Sequence, residues 1–252
     1  MTNKSDERGS TGLDGRTALV IGATGGIGAA IAGALAEGGA VLTIHGRDDS
    51  RLAAKASELA KYGNEVGTIR ADLSEGRAPP ELLRAAASID LLVVAYGPFV
   101  YKPLAETSQA DWSLAALGCL ALPGTIATEA AVGMAGRGFG RILLFGGTRT
   151  DAVRGFKANA AYAAAKTGLG VVAKSIAVEF GGRGVSCAVV CPGFVDTEYL
   201  DEAMRSRLEK ASPRGGLIPA AELASLVAYL LGGGMDLANG SVVVADRGLY
   251  AL

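Results

Sequence analysis

The chain has 252 residues, half of them hydrophobic and 19% charged, which supplies a large core and excludes a disordered chain. Its net charge of −1, with acidic and basic residues scattered from end to end, leaves no basic stripe and excludes nucleic acid as an expected partner. Three cysteines without C-x-x-C spacing suggest neither a disulfide framework nor a zinc site, and a single histidine, His45, removes most Ser-His-Asp and Cys-His mechanisms and every site with two histidine ligands, so no metal is expected and acid–base chemistry near neutral pH falls to another group with a shifted pKa.

Residues 1–12 are polar and read as a disordered tail ahead of one domain spanning residues 13–252. No later run approaches a membrane span, and Cys119, Cys187 and Cys191 read as buried thiols in a reducing cytoplasm. The first apolar run, Ala18–Ile21, leads into Gly22-Ala23-Thr24-Gly25-Gly26-Ile27-Gly28 and a helix continuing to Glu37. Glycines in such a turn let the backbone approach a pyrophosphate, whose charge the helix N-terminus stabilises. Glycines also serve ordinary tight packing, but this turn follows the first strand, where dinucleotide sites lie.

A second strand, Val41–Ile44, ends in His45-Gly46-Arg47. Enzymes that use NAD place a carboxylate there for the ribose 2′-hydroxyl; Gly46 has none, and Arg47 suits a 2′-phosphate, which points to NADP(H). The alternative is a solvated arginine beside Asp48 and Asp49, which read as caps of the helix Ser50–Tyr62. Strands Val66–Ile69, Leu91–Ala95, Ile142–Phe145, Val185–Val190 and Val242–Val244 follow, most without polar alternation, with a helix at Ala161–Phe180. Seven such runs alternating with helices predict an α/β chain with a Rossmann-type, doubly wound, seven-stranded parallel sheet and ligands at its carboxyl ends. Gly97–Pro103 and the long polar segment Phe194–Pro219 fit the alternation least, and the second reads as a lid. In the last long helix Tyr162 and Lys166 stand one turn apart, and an ammonium near a phenol is expected to draw its pKa down from about 10.

Gly22-x-x-x-Gly26-x-Gly28, Tyr162-x-x-x-Lys166 and Pro192-Gly193-x-Val195-x-Thr197, in this order and spacing, resemble the short-chain dehydrogenase/reductase family over roughly residues 13–250. The resemblance implies interconversion of a small-molecule carbonyl and alcohol, with Tyr162 as proton donor and Lys166 holding the nicotinamide ribose. It implies a cofactor site of Gly22, Thr24, Gly25, Gly26, Ile27, Gly28, Arg47, Asp72, Leu73, Ala95, Tyr96, Gly97, Tyr162, Lys166, Pro192, Gly193, Val195 and Thr197. Substrate contacts are expected from Phe99, Tyr101, Thr148, Phe194 and Tyr199, and a homodimer or homotetramer from the faces Leu114–Ala131 and Ala160–Val172.

The chain departs from the family's pattern most informatively at its catalytic serine. No serine lies between Ser113 and Ser175, so the usual catalytic serine is missing. Aligning the fifth strand puts Gly147 in its place, whereas counting back from Tyr162 lands on Arg149; Thr148 is the nearest hydroxyl, with Thr150 in reserve. The family's helical asparagine is replaced near Cys119. Two readings remain open: an NADP(H)-dependent ketone or 3-oxoacyl-type reductase with an altered oxygen site, or a cofactor-binding protein on the same fold serving as a cyclase, sensor or scaffold.

Overall fold

The computed structural model describes residues 12–63, 65–212 and 216–250. The tail expected at residues 1–12 lies outside the described residues apart from Gly12, as do residues 213–215 of the expected lid. In chain order the elements are β1 (Thr17–Ile21), α1 (Gly26–Glu37), β2 (Val41–Gly46), α2 (Asp49–Leu59), β3 (Gly67–Arg70), α3 (Pro80–Ser88), β4 (Leu91–Val94), α4 (Gln109–Ala116) and α5 (Leu122–Arg137). They continue as β5 (Gly140–Phe145), α6 (Ala160–Phe180), β6 (Val185–Pro192), β7 (Val195–Asp196), α7 (Glu202–Ala211), β8 (Ile218–Pro219), α8 (Ala220–Tyr229), α9 (Met235–Leu237) and β9 (Val242–Ala245).

Seven parallel strands form one sheet in the order β3-β2-β1-β4-β5-β6-β9, the doubly wound arrangement that the alternation of strands and helices predicts. Helices cover both faces, which is why β4 and β6 are buried throughout and almost wholly apolar. Leu19, Ile21, Leu92, Val94 and Leu144 face one way, onto Leu82 of α3, Met134 of α5 and Ile176 of α6. Ala18, Val20, Val93 and Leu143 face the other, onto Ile31 of α1, Leu52 of α2 and Val227 of α8. Each fully buried leucine or isoleucine contributes roughly 1.5–3 kcal/mol, so these layers fix the strands and leave the loops at their carboxyl ends free to carry chemistry. Strand order reverses at β1, whose Ile21 pairs with both His45 and Val94, so the turns after β1, β2 and β4 open side by side into one crevice.

Two local features lie beyond the expected elements, and one expectation needs correction. The segment Phe194–Pro219 is not without structure: β7 pairs with β8, and Asp201 caps α7 by accepting from Met204 N–H at 2.7 Å. Two helical runs, Gln109–Arg137 and Ala220–Leu237, are apolar and long enough to cross a membrane by length and composition, although no run was expected to approach that. Their apolar residues, Ile126, Met134 and Val227 among them, are those that pack on the sheet. Finally, a π-helical turn at Leu117–Ala121 separates α4 from α5. Pro123 has no N–H to give the carbonyl of Cys119, so the run widens there, and Leu122 N–H reaches back to Leu117.

Candidate active site

The glycine-rich turn is set by crowding as much as by conformational freedom. Gly22 has φ 82°, and a Cβ on it would lie 2.9 Å from the Ala95 carbonyl oxygen; one on Gly28 would lie 2.2 Å from that of Gly22. His45, which composition presents only as an exclusion, holds this turn. Gly22 N–H donates to its Nδ1 at 3.3 Å, and its Nε2–H donates to the Ala71 carbonyl at 3.1 Å, a pairing that assigns the neutral Nε2–H tautomer. Burial pushes the imidazole pKa below its ordinary value, opposed by the bond to Ala71. No spacing rule points to such a residue, because its role exists only once β1, β2 and the end of β3 are assembled.

The crevice, about 760 Å³, is lined by every residue expected of the cofactor site except Lys166, together with His45, Arg51 and Ser74. Its fit to a dinucleotide is tested by an anion already present: the Glu198 carboxylate accepts from Gly26 N–H at 2.8 and 3.1 Å, at the start of α1 where a phosphate would be received. Tyr199, expected in the substrate pocket, instead packs beside Glu198 against Gly25 and Gly26, because the chain turns back over the nucleotide crevice after β7.

At the adenosine end, a Cβ on Gly46 would meet Thr24 Cγ2 at 2.5 Å, leaving no room for a carboxylate. The Asp48 carboxylate is committed to Ser50 Oγ and Arg51 N–H, at 2.6 and 2.9 Å, as the cap of α2; these bonds hold its pKa below the usual range. Asp72 accepts from Ser74 N–H at 2.9 Å and so closes a turn while its residue lines the crevice. Arg47 is exposed there and forms no ion pair among the described residues.

Tyr162 and Lys166 project from α6 as expected, but the electrostatics differ from expectation. Burial pushes the Tyr162 phenol up, with no compensating pull from the ammonium, and burial pushes Lys166 down. The reason is geometric: Lys166 Nζ donates to the Phe145 carbonyl at 2.8 Å and lies 5.9 Å from the tyrosine ring centroid. It is buried and also packs against Gly97, where Cys119 Sγ arrives from the π-helical turn and donates to the Pro98 carbonyl at 3.1 Å.

The place of the missing serine is Gly147, since a Cβ there would sit 2.7 Å from Tyr162 Cε1 and 3.2 Å from its Oη. Arg149, the other candidate for that place, is two residues further along an exposed loop. Thr150 is unavailable: its buried hydroxyl accepts from Gly147 N–H at 2.7 Å and donates to the Gly147 carbonyl at 3.0 Å. Thr148 is held only by a 3.5 Å contact to the Gly193 carbonyl and lines a second cavity of about 500 Å³ with Phe99, Tyr101, Phe194 and Tyr162. Phe99 meets the Tyr162 ring edge-on at 4.9 Å, and these two residues line both cavities.

A parallel sheet whose first helix receives an anion, and whose crevice ends on a phenol, defines a nucleotide-binding oxidoreductase fold. The family model described as Enoyl-(Acyl carrier protein) reductase matches residues 22–250, and the chain belongs to the short-chain dehydrogenase/reductase family of oxidoreductases. It is 31% identical over 244 residues to nodulation protein G of Rhizobium sp. (strain N33), covering 94% of this chain and 98% of that protein. It is 29% identical over 249 residues to a 3-oxoacyl-[acyl-carrier-protein] reductase of Aquifex aeolicus (strain VF5), covering 94% and 98%. The structure of a 3-oxoacyl (acyl-carrier-protein) reductase from Agrobacterium tumefaciens C58 with NADP bound is similar at a TM-score of 0.86 and 26% identity, over 98% of this chain and all of that one.

Two outcomes are expected from this geometry. Above pH 6.5 His45 is neutral in both the folded and unfolded chain; below it the unfolded chain takes up a proton that the buried ring resists, so stability falls as pH falls. The loss is at most about 1.4 kcal/mol per pH unit, and His45→Gln, whose amide can accept from Gly22 and donate to Ala71, should flatten the fall of Tm between about pH 6.5 and 5. A variant tracking the parent at every pH would show that His45 does not titrate this way. Glu198→Gln should tighten dinucleotide binding by up to about fivefold, the 0.3–1 kcal/mol of an exposed charge at a helix N-terminus, as read by fluorescence titration; unchanged or weaker binding would rule out competition.

Proposed function

We propose that the chain is an NADP(H)-dependent reductase that interconverts a small-molecule ketone or 3-oxoacyl-type carbonyl with its alcohol. The observation that carries this reading is the position of Tyr162, in the wall shared by the nucleotide crevice and the second cavity. The nicotinamide supplies the hydride when bound. Tyr162 delivers the proton from Oη; burial raises the phenol's pKa, so the group is protonated at neutral pH, as a donor must be. Lys166, anchored on the Phe145 carbonyl and packed against Gly97, presents a buried ammonium toward the ribose side of the crevice. Thr148 takes the role of the missing serine as hydroxyl donor to the substrate oxygen, since it alone among the nearby threonines is not locked into the turn.

Preference for NADP(H) is supported by the crowding at Gly46, the commitment of Asp48 to its cap and the unpaired Arg47. We extend the proposal to a cytoplasmic homodimer or homotetramer of single-domain subunits, supported by Trp112, Leu117, Val132 and Val171, which stand exposed on the helical run 109–137 and on α6.

Tyr162→Phe should lower kcat for NADPH-dependent carbonyl reduction at least about 10²-fold while leaving NADPH affinity nearly unchanged. Turnover retained by the variant would remove the tyrosine from the chemistry; no turnover by the parent on any carbonyl, with NADPH bound, would favour the non-redox alternative. Arg47→Ala should weaken NADPH binding by about tenfold or more, the 1.5–3 kcal/mol of hydrogen bonding to a charged group, and spare NADH; equal loss for both cofactors would contradict a 2′-phosphate contact.

A further inference from the structure

We propose that Arg149 and Arg207 make the second cavity selective for an oxyanion, so that the substrate is a carbonyl compound with a flat apolar body carrying a carboxylate or phosphate. This rests on the reading of Tyr162 as the reacting end of that cavity. The other walls set the body: Phe99, Tyr101, Phe156, Phe194 and Tyr250 present rings, with Met204 and Leu208 filling between them. A volume of about 500 Å³ suits a ligand of drug-like size. Among the described residues two arginines line the cavity and no aspartate or glutamate does, so its charged lining is positive and the rest largely apolar.

Solvated surface arginines would need no explanation, but Arg149 is built in. Its φ of 65° lies in the left-handed region that arginine rarely adopts. Its guanidinium stands 4.7 Å from the Tyr250 ring centroid and 5.9 Å from that of Phe156, so two rings orient the charge at the cavity wall. The neighbouring carboxylate, Asp151, pairs with Arg154 at 2.5 Å and feels Arg149 only through space, and Arg149 forms no ion pair among the described residues. Arg205 pairs with Asp196, whereas Arg207, two residues further along α7, forms none among the described residues. Asn159, at φ 81°, lines the same cavity, so two of the three left-handed non-glycine residues described line it. Backbone strain gathered around an unpaired cation is the pattern of a recognition site rather than of a solvated loop.

The test uses the full-length protein with NADPH and matched aryl ketones carrying a carboxylate, its methyl ester or a phosphate. The parent should favour an oxyanion over the ester by about tenfold or more in kcat/KM, and the carboxylate and phosphate arms show which oxyanion is preferred. Arg149→Asn, a replacement that tolerates positive φ, and Arg207→Gln on an exposed helix should each reduce that ratio about fivefold or more. Equal use of acid and ester by the parent, or variants that leave the ratio unchanged, would overturn the proposal. Calorimetry with the corresponding aryl carboxylate alcohols separates the two readings. Oxyanion-selective binding lost in Arg149→Asn, without turnover of any ketone, would sustain this site and defeat the reductase reading; turnover without oxyanion preference would do the reverse.

Discussion

The backbone of Gly22 is constrained from three sides, and the nucleotide crevice depends on it. The Ala95 carbonyl leaves no room for a side chain, Gly28 closes against its oxygen, and its N–H is taken by His45. The last contact ties the turn after β1 to the end of β2, and through the Ala71 carbonyl to the residue after β3. A neutral imidazole is the side chain that can accept on one ring nitrogen while donating on the other across a buried gap. Three loops of the crevice are thus held in one geometry by an apolar sheet beneath and one small polar bridge above. The same frame explains why α1 begins where an anion can reach it, and why Glu198 finds the Gly26 N–H available.

Burial decides the chemistry at the other end of the crevice. An ammonium one helical turn from a phenol lowers its pKa only when the two polar groups face one another in a medium that does not first penalise the phenolate. Here Lys166 is turned onto the Phe145 carbonyl, and Tyr162 sits among Phe99, Gly147 and the walls of both cavities. Desolvation therefore wins, and the phenol is held as an acid rather than a base. A carbonyl substrate asks for that protonation state, which a phenol of ordinary pKa also holds at neutral pH; the upward shift weakens the acid and does not by itself set the direction of reaction.

Much of this architecture was legible in the sequence, for identifiable reasons. Strands buried on both faces, such as Leu91–Val94, stand out as short apolar runs, and their order follows from the alternation with helices. The residues that line the crevice are legible because they fall in local clusters, such as Gly22–Gly28 and Pro192–Thr197, just past strand ends. What escaped depends on distant chain meeting at one place. His45 acts through Gly22 and Ala71, Tyr199 folds back 173 positions onto Gly26, and Tyr250 reaches Arg149 from the far end of the chain. The pKa of Tyr162 escaped for a related reason, since helical spacing places Lys166 one turn away without saying which carbonyl captures its ammonium.

The glycine at 147 links the loss of one hydroxyl to the shape of the second cavity. A side chain at this position would press on the Tyr162 ring, so the ring's present seat and the absence of a serine are two aspects of one packing solution. The loop that follows then needs another way to close, and Thr150 provides it by bonding both polar atoms of the Gly147 backbone. That closure is a tight turn, and the residue inside it, Arg149, is driven to positive φ with its side chain on Phe156 and Tyr250. Thr148 is left beside the cavity, with its hydroxyl only weakly held. Around Gly147, therefore, one neighbour, Thr148, offers a weakly held hydroxyl and the next, Arg149, a cation seated on two rings. The hydroxyl of Thr148 and the cation of Arg149 belong to one turn, closed on the Gly147 backbone.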